Sequence, residues 1–166
     1  MRRVRASTGN RAEPRPPAFP REGRVLVLGI GNPGREDDGL GPALAARIEA
    51  LGLAGVDADA NYQLNIEDAE LCSRYAAVVF ADAARRLRTP FRLTKLKPDA
   101  AAPMTSHALD PGMVLALCEK LYGRRPDTRL LALRGHRWGL KEGLSPAAAS
   151  DLEAALAFLA DFLGRG

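Results

Sequence analysis

The sequence predicts an α/β protein: a three-layer α/β/α sandwich on a mostly parallel, five-stranded sheet, folded as a single domain. Three observations carry this expectation. The runs Arg24–Ile30 and Tyr75–Ala81 are continuously apolar and rich in β-branched residues, as in strands buried on both faces. Well-punctuated helical segments alternate with the strands, which favours parallel pairing with helices on both sides. At 166 residues and 46% hydrophobic content, the chain can fill one core but not two.

The elements follow in order. Residues 1–23 hold four Pro and many Arg with little apolar periodicity, so they read as a disordered basic tail before a folded domain at 24–166. After the first strand comes a glycine-rich turn, then a helix from Gly41 to Leu51. Its Leu40, Leu44 and Ile48 recur four apart, and Gly52 stands at the C′ position. A second strand is expected over Val56–Ala60 and a short helix over 66–74. The third strand, Tyr75–Asp82, ends in a carboxylate. Phe91–Leu96 alternates apolar and basic residues, as an edge strand does. Asp110-Pro111 and Ser145-Pro146 each supply an N-cap and an N1 proline. They open helices that end at Tyr122-Gly123 and near Leu163-Gly164, with a last strand, Arg129–Arg134, between them.

Charge and cysteine content exclude several classes. Residues 1–24 carry seven Arg against two Glu, a net of +5, while the whole chain is +4; residues 25–166 therefore sum to −1. The domain has no basic footprint in its composition, which argues against nucleic acid as a partner. No apolar run approaches the roughly 20 residues that span a bilayer. The N-terminus also lacks the apolar stretch of a signal peptide, so a cytoplasmic protein with no membrane association is expected. Cys72 and Cys118 have neither metal-site nor disulfide spacing and read as buried, reduced thiols.

Ligands of open α/β sheets bind beyond the carboxyl ends of the strands. Two stretches qualify: Gly29-Ile30-Gly31-Asn32-Pro33-Gly34-Arg35-Glu36-Asp37-Asp38-Gly39-Leu40-Gly41, and Asp82 after the third strand. His107, in a loop opening onto a helix, is a third candidate. Two carboxylates and an imidazole form an incomplete ligand set for a borderline ion such as nickel or zinc, leaving positions for substrate. Taken singly, each has a plainer reading: Asp38 as a helix cap, Asp82 as a turn cap, His107 as an ordinary loop histidine. His136 lies in another loop able to reach the crevice. Gly29-x-Gly31-x-x-Gly34, with Asp57 downstream, also satisfies the dinucleotide-binding pattern. However, Pro33 has no N–H for a phosphate, and three consecutive acids would repel one.

Together these residues resemble the hydrogenase maturation endopeptidases, which trim the large subunit of nickel–iron hydrogenases. The resemblance spans about residues 24–164. It rests on Val27-Leu28-Gly29-Ile30-Gly31-Asn32 leading to Asp37-Asp38-Gly39-Leu40-Gly41, then Val78-Val79-Phe80-Ala81-Asp82-Ala83, Ser106-His107 and Gly143-Leu144-Ser145-Pro146. It implies a five-stranded α/β/α fold and a metal-dependent endopeptidase of aspartic or metallo type. By matched position it implies metal-binding roles for Asp38, Asp82 and His107. It also implies that nickel is supplied by the substrate rather than held as a permanent cofactor. The partner implied is a hydrogenase large-subunit precursor, which loses a C-terminal extension by metal-assisted hydrolysis. No nucleophilic Ser or Cys with a partner base is evident.

Two departures from the family pattern stand out. Asp38 replaces the Glu of many members, shortening the reach by one methylene. Ala60-Asn61-Tyr62-Gln63-Leu64-Asn65-Ile66-Glu67-Asp68 replaces an Asp-Gly-rich turn. Asn32, Gln63 and Glu67 are candidate substrate contacts, although Glu67 or Asp68 can equally occupy the first turn of a helix. Two rivals remain. One is a chaperone-like protein that binds the precursor without cutting it. The other is an esterase resembling peptidyl-tRNA hydrolases, whose expected His after the glycine turn is absent here.

Overall fold

The computed structural model describes residues 17–19, 22–102 and 108–165. The elements are β1 (Val25–Ile30), a 3₁₀ turn (Glu36–Gly39), α1 (Leu40–Leu51), β2 (Val56–Asn61), α2 (Glu67–Ser73), β3 (Ala77–Ala84), β4 (Phe91–Lys95), α3 (Pro111–Tyr122), β5 (Asp127–Arg134) and α4 (Pro146–Leu163). The sheet order is β2-β1-β3-β5-β4. β1, β2, β3 and β5 pair in parallel, and β4 closes the edge antiparallel to β5. This is the α/β/α sandwich that the sequence predicts, with the basic-alternating strand at the edge.

Side-chain alternation divides the core between the two faces. Val27, Val79, Ala81, Leu131 and Leu133 point to α1 and α4. Leu26, Leu28, Ile30, Val78 and Phe80 point to α2 and α3. Cys72 and Cys118 are free thiols within this second cluster, as expected. Burial pushes the Cys72 thiol up to about 12, so it stays protonated and inert.

The helix signals act as written. Asp110 accepts the Gly112 N–H at 2.7 Å, Pro111 opens α3, and Gly123 closes it at φ 63°. Ser145 accepts the Ala148 N–H and opens α4. Two expectations need correction. β3 continues two residues past Asp82, because Ala83 and Ala84 pair with Leu133 and Arg134 of β5. In addition, the stretch expected to be a solvated tail contributes Phe19 to the core. Its ring is 5% exposed, meets Phe162 edge-on at 5.1 Å and lies beneath the Arg129 guanidinium. Among the described residues no helix is long and apolar enough to cross a membrane.

Candidate active site

Three glycines let the N-terminus of α1 settle directly onto the ends of β1 and β3. A Cβ on Gly41 would lie 2.4 Å from the carbonyl oxygens of both Ile30 and Ala81, and one on Gly29 would lie 2.2 Å from the Gly41 carbonyl. Gly31 has φ +140°, and a Cβ there would lie 1.9 Å from the Asp38 carbonyl oxygen. The chain therefore folds back from Gly31 so that Asp38 comes to rest over the strand ends.

Local hydrogen bonds hold this loop in place. Asn32 Oδ1 accepts the Gly34 N–H, and the Asn32 N–H donates to Asp38 Oδ2 at 2.9 Å. The helix-cap reading of Asp38 is thereby corrected: α1 has Gly39 at its N-cap and no side-chain cap bond. Nor is Asp82 a turn cap, since it lies inside β3 in register with Ile30 of β1. Burial pushes the Asp82 carboxyl up to about 6. The Ala83 N–H opposes that shift, and the neighbouring charge of Asp38 adds to it. The structure thus brings two half-buried carboxylates together from separate segments, close enough to feel each other's charge.

Asp37 plays the opposite part and was not singled out by sequence reasoning. It is fully buried and accepts four hydrogen bonds: from the N–H groups of His136, Arg137 and Ser145, and from the Ser145 hydroxyl. Burial alone would raise its pKa. The bonds from Ser145, His136 and Arg137 outweigh burial and hold the carboxyl below the usual range. Glu36, at φ 48°, assists by accepting the Gly139 N–H and donating its own N–H to the Lys141 carbonyl. These contacts clamp the loop before α4 against the glycine turn. Between them lies an apolar concavity of about 340 Å³ walled by Pro33, Pro42, Ala43 and Leu144.

The other candidates divide. Gln63 and Glu67 are exposed on the loop after β2 and the first turn of α2. Gly31 and Asn61 tie this loop to the glycine turn through the Gly31 N–H. Asp68 is structural: its carboxylate accepts Asn61 Nδ2 at 2.7 Å and the Asn65 N–H at 2.8 Å. Asn32 spends its side-chain oxygen on the turn itself. The His136 ring nitrogen Nε2 lies 2.8 Å from Asp151 Oδ2, a carboxylate that Arg134 also grips through two nitrogens. Asp57 pairs with Arg24 near the start of β2, far along the strand from any ribose at the carboxyl ends. His107 lies outside the described residues. Leu109 is described and donates its N–H to Leu64, so the chain passes beside the loop after β2 there. Among the described residues no group of three or more His, Cys, Asp or Glu side chains forms a metal site. The Asp38–Asp82 pair is the described part of the expected set.

The architecture defines a doubly wound α/β protein with two carboxylates at the carboxyl end of its parallel strands. No family model matches the chain, and no curated protein matches it in sequence. Solved structures do. A NiFe hydrogenase maturation protease from Thermococcus kodakarensis superposes with a TM-score of 0.67 at 23% identity, over 84% of this chain and 92% of that one. A hydrogenase 2 maturation peptidase from a Thaumarchaeota archaeon gives 0.64 at 24% identity, over 85% and 98%. The hydrogenase maturating endopeptidase of E. coli gives 0.65 at 21%, over 82% and 89%. At these identities the likeness establishes a shared fold.

Proposed function

We propose that this chain is a cytoplasmic endopeptidase of hydrogenase maturation, removing the C-terminal extension of a nickel-loaded large-subunit precursor. The observation carrying this reading is the juxtaposition of Asp38 and Asp82 at the carboxyl ends of the strands, in the fold of solved maturation proteases. Asp38 and Asp82 supply two oxygen donors and His107 a nitrogen donor to nickel already seated in the substrate. No resident cofactor is required, because the metal arrives as part of the substrate. Bound there, it polarises the scissile carbonyl or activates water.

The chain's own groups prepare that event. The Asn32 N–H aims one oxygen of Asp38, and burial makes Asp82 exchange its proton near neutrality. A metal must displace that proton, so the grip strengthens as pH rises through about 6. Gln63 and Glu67 lie where a polypeptide crossing the loop after β2 would meet them.

The test incubates nickel-loaded and nickel-free precursor with the wild type and with Asp82→Ala, following the extension by intact mass. Cleavage of loaded precursor by wild type alone supports the reading. Binding without cleavage by either protein replaces it with a chaperone role.

A further inference from the structure

The near-neutral charge of residues 25–166 conceals a strong segregation. Arg85, Arg86 and Arg88 sit in the turn after β3, Arg92 on β4, and Arg137 and Lys141 in the loop after β5; all six are exposed. The two loops form one surface. The Gly135 N–H donates to the Ala84 carbonyl, Arg134 Nη1 donates to the Arg88 carbonyl, and the Arg85 guanidinium lies 4.3 Å from the centre of the Trp138 ring.

This surface adjoins the carboxylate pair. Asp82 is opposite Ala132 on β5, and Ala132 is opposite Arg92 on β4. Asp82 and Arg92 therefore share a face two strands apart, roughly 10 Å at ordinary strand spacing. None of the six cations has a carboxylate partner among the described residues, whereas Arg24, Arg47, Arg74, Lys95, Arg125, Arg129, Arg134 and Arg165 do; the other described cations without one, Arg35, Lys97, Lys120 and Arg124, lie outside these two loops. The acids nearest the rim are occupied: Asp151 by Arg134 and His136, Asp37 by the loop before α4, Glu36 by Gly139. Glu142 alone offsets the positive charge of these loops.

We propose that the rim formed by Arg85, Arg86, Arg88, Arg92, Arg137 and Lys141 docks an acidic segment of the polypeptide substrate beside the carboxylate pair. The inference rests on the proteolytic reading in one respect, that the substrate is a polypeptide. Two observations favour an acidic peptide over a nucleic acid. One face of the Trp138 ring is already covered by Arg85 and is not free for base stacking. Leu140, 89% exposed between Arg137 and Lys141, suits an apolar peptide side chain. The division of labour is electrostatic: cations orient the incoming chain, while the anionic pair is kept for the metal-bearing centre.

The experiment measures binding of a fluorescent oligo-glutamate peptide to the full chain by anisotropy. Oligo-lysine and single-stranded oligothymidylate serve as comparison probes. Wild type is set against Arg85→Glu/Arg86→Glu/Arg88→Glu and against Lys120→Glu/Arg124→Glu, two exposed cations at the far end of α3. The N-terminal arginines are present in every variant. The triple reversal is expected to weaken oligo-glutamate binding at least about tenfold and to flatten its salt dependence, with little effect from the α3 pair. Equal losses in both variants, or none in the triple, overturn the proposal. Tighter binding of oligothymidylate through the same arginines replaces it with a nucleic-acid surface. Because binding is read without cleavage, a chain that binds the peptide yet cuts no precursor sinks only the proteolytic reading.

Discussion

The two ends of the sheet treat charge in opposite ways. At the amino end of the parallel strands, Lys95 and Arg129 both pair with Asp127, and Arg125 pairs with Glu119. A concavity of about 410 Å³ lies among Lys95, Lys97, Arg125 and Asp127; Lys95 and Arg125 are paired within the fold, and Lys97 is not. At the carboxyl end, Asp38 lies near enough to Asp82 for its charge to raise the Asp82 pKa, and the six rim cations, like Arg35 of the glycine turn, have no carboxylate partner among the described residues. Adjacent Asp37 and Asp38 repeat the contrast over one peptide bond: one carboxylate is consumed by four internal bonds, the other is kept near a second negative charge. Charges that serve the fold are satisfied within it, whereas those left in tension are available to a partner.

The largest expected effect breaks the carboxyl end. Asp38→Ala or Asp82→Ala should abolish precursor cleavage, a loss of at least about a thousandfold if the pair holds the metal. Both variants should remain folded by circular dichroism. Retained cleavage in either would remove that residue from the site. Next in size is Asp37→Ala, which orphans three backbone N–H groups and a hydroxyl. A stability loss of about 3 kcal/mol or more is expected in urea unfolding at neutral pH. Because the folded carboxyl is depressed, that contribution exists above the ordinary carboxylate range and fades as pH falls through the lower folded value.

Asp82→Asn sharpens the comparison in the other direction. The folded pKa of about 6 lies above the unfolded value, so wild type loses stability as pH climbs from about 4 through 6. The Asn variant should match wild type near pH 4 and exceed it by about 2 kcal/mol at pH 8 in thermal unfolding. A variant no more stable at pH 8 would show that the carboxylate tension is not real. The smallest effect belongs to the amino end: Lys95→Ala removes an exposed ion pair and should cost under about 1 kcal/mol, decreasing in high salt. A larger loss would make that end more than a satisfied surface.

Much of the fold could be read locally because its signals are local. Asp110-Pro111 and Ser145-Pro146 place helix starts through bonds to amides two or three residues on. Residues 25–30 declare a central strand because both of its faces need apolar side chains. Asp38 and Asp82 could be located as well, one by the turn following a buried strand, the other by a carboxylate closing an apolar run. Their joint behaviour could not, since it depends on how near α1 comes to the strand ends.

What the sequence determined by itself is the succession of strands and helices, their caps, and the end of the sheet at which Asp38 and Asp82 fall. Those follow from hydrophobic period and backbone preference, which act within a few residues. Tertiary structure alone decided that Asp37 spans about a hundred residues to hold the loop before α4, that Phe19 joins the core, and that six scattered cations gather on one rim. Hydrogen bonds, packing and Coulomb forces act through space, and only the folded sheet sets which distant residues come within their reach.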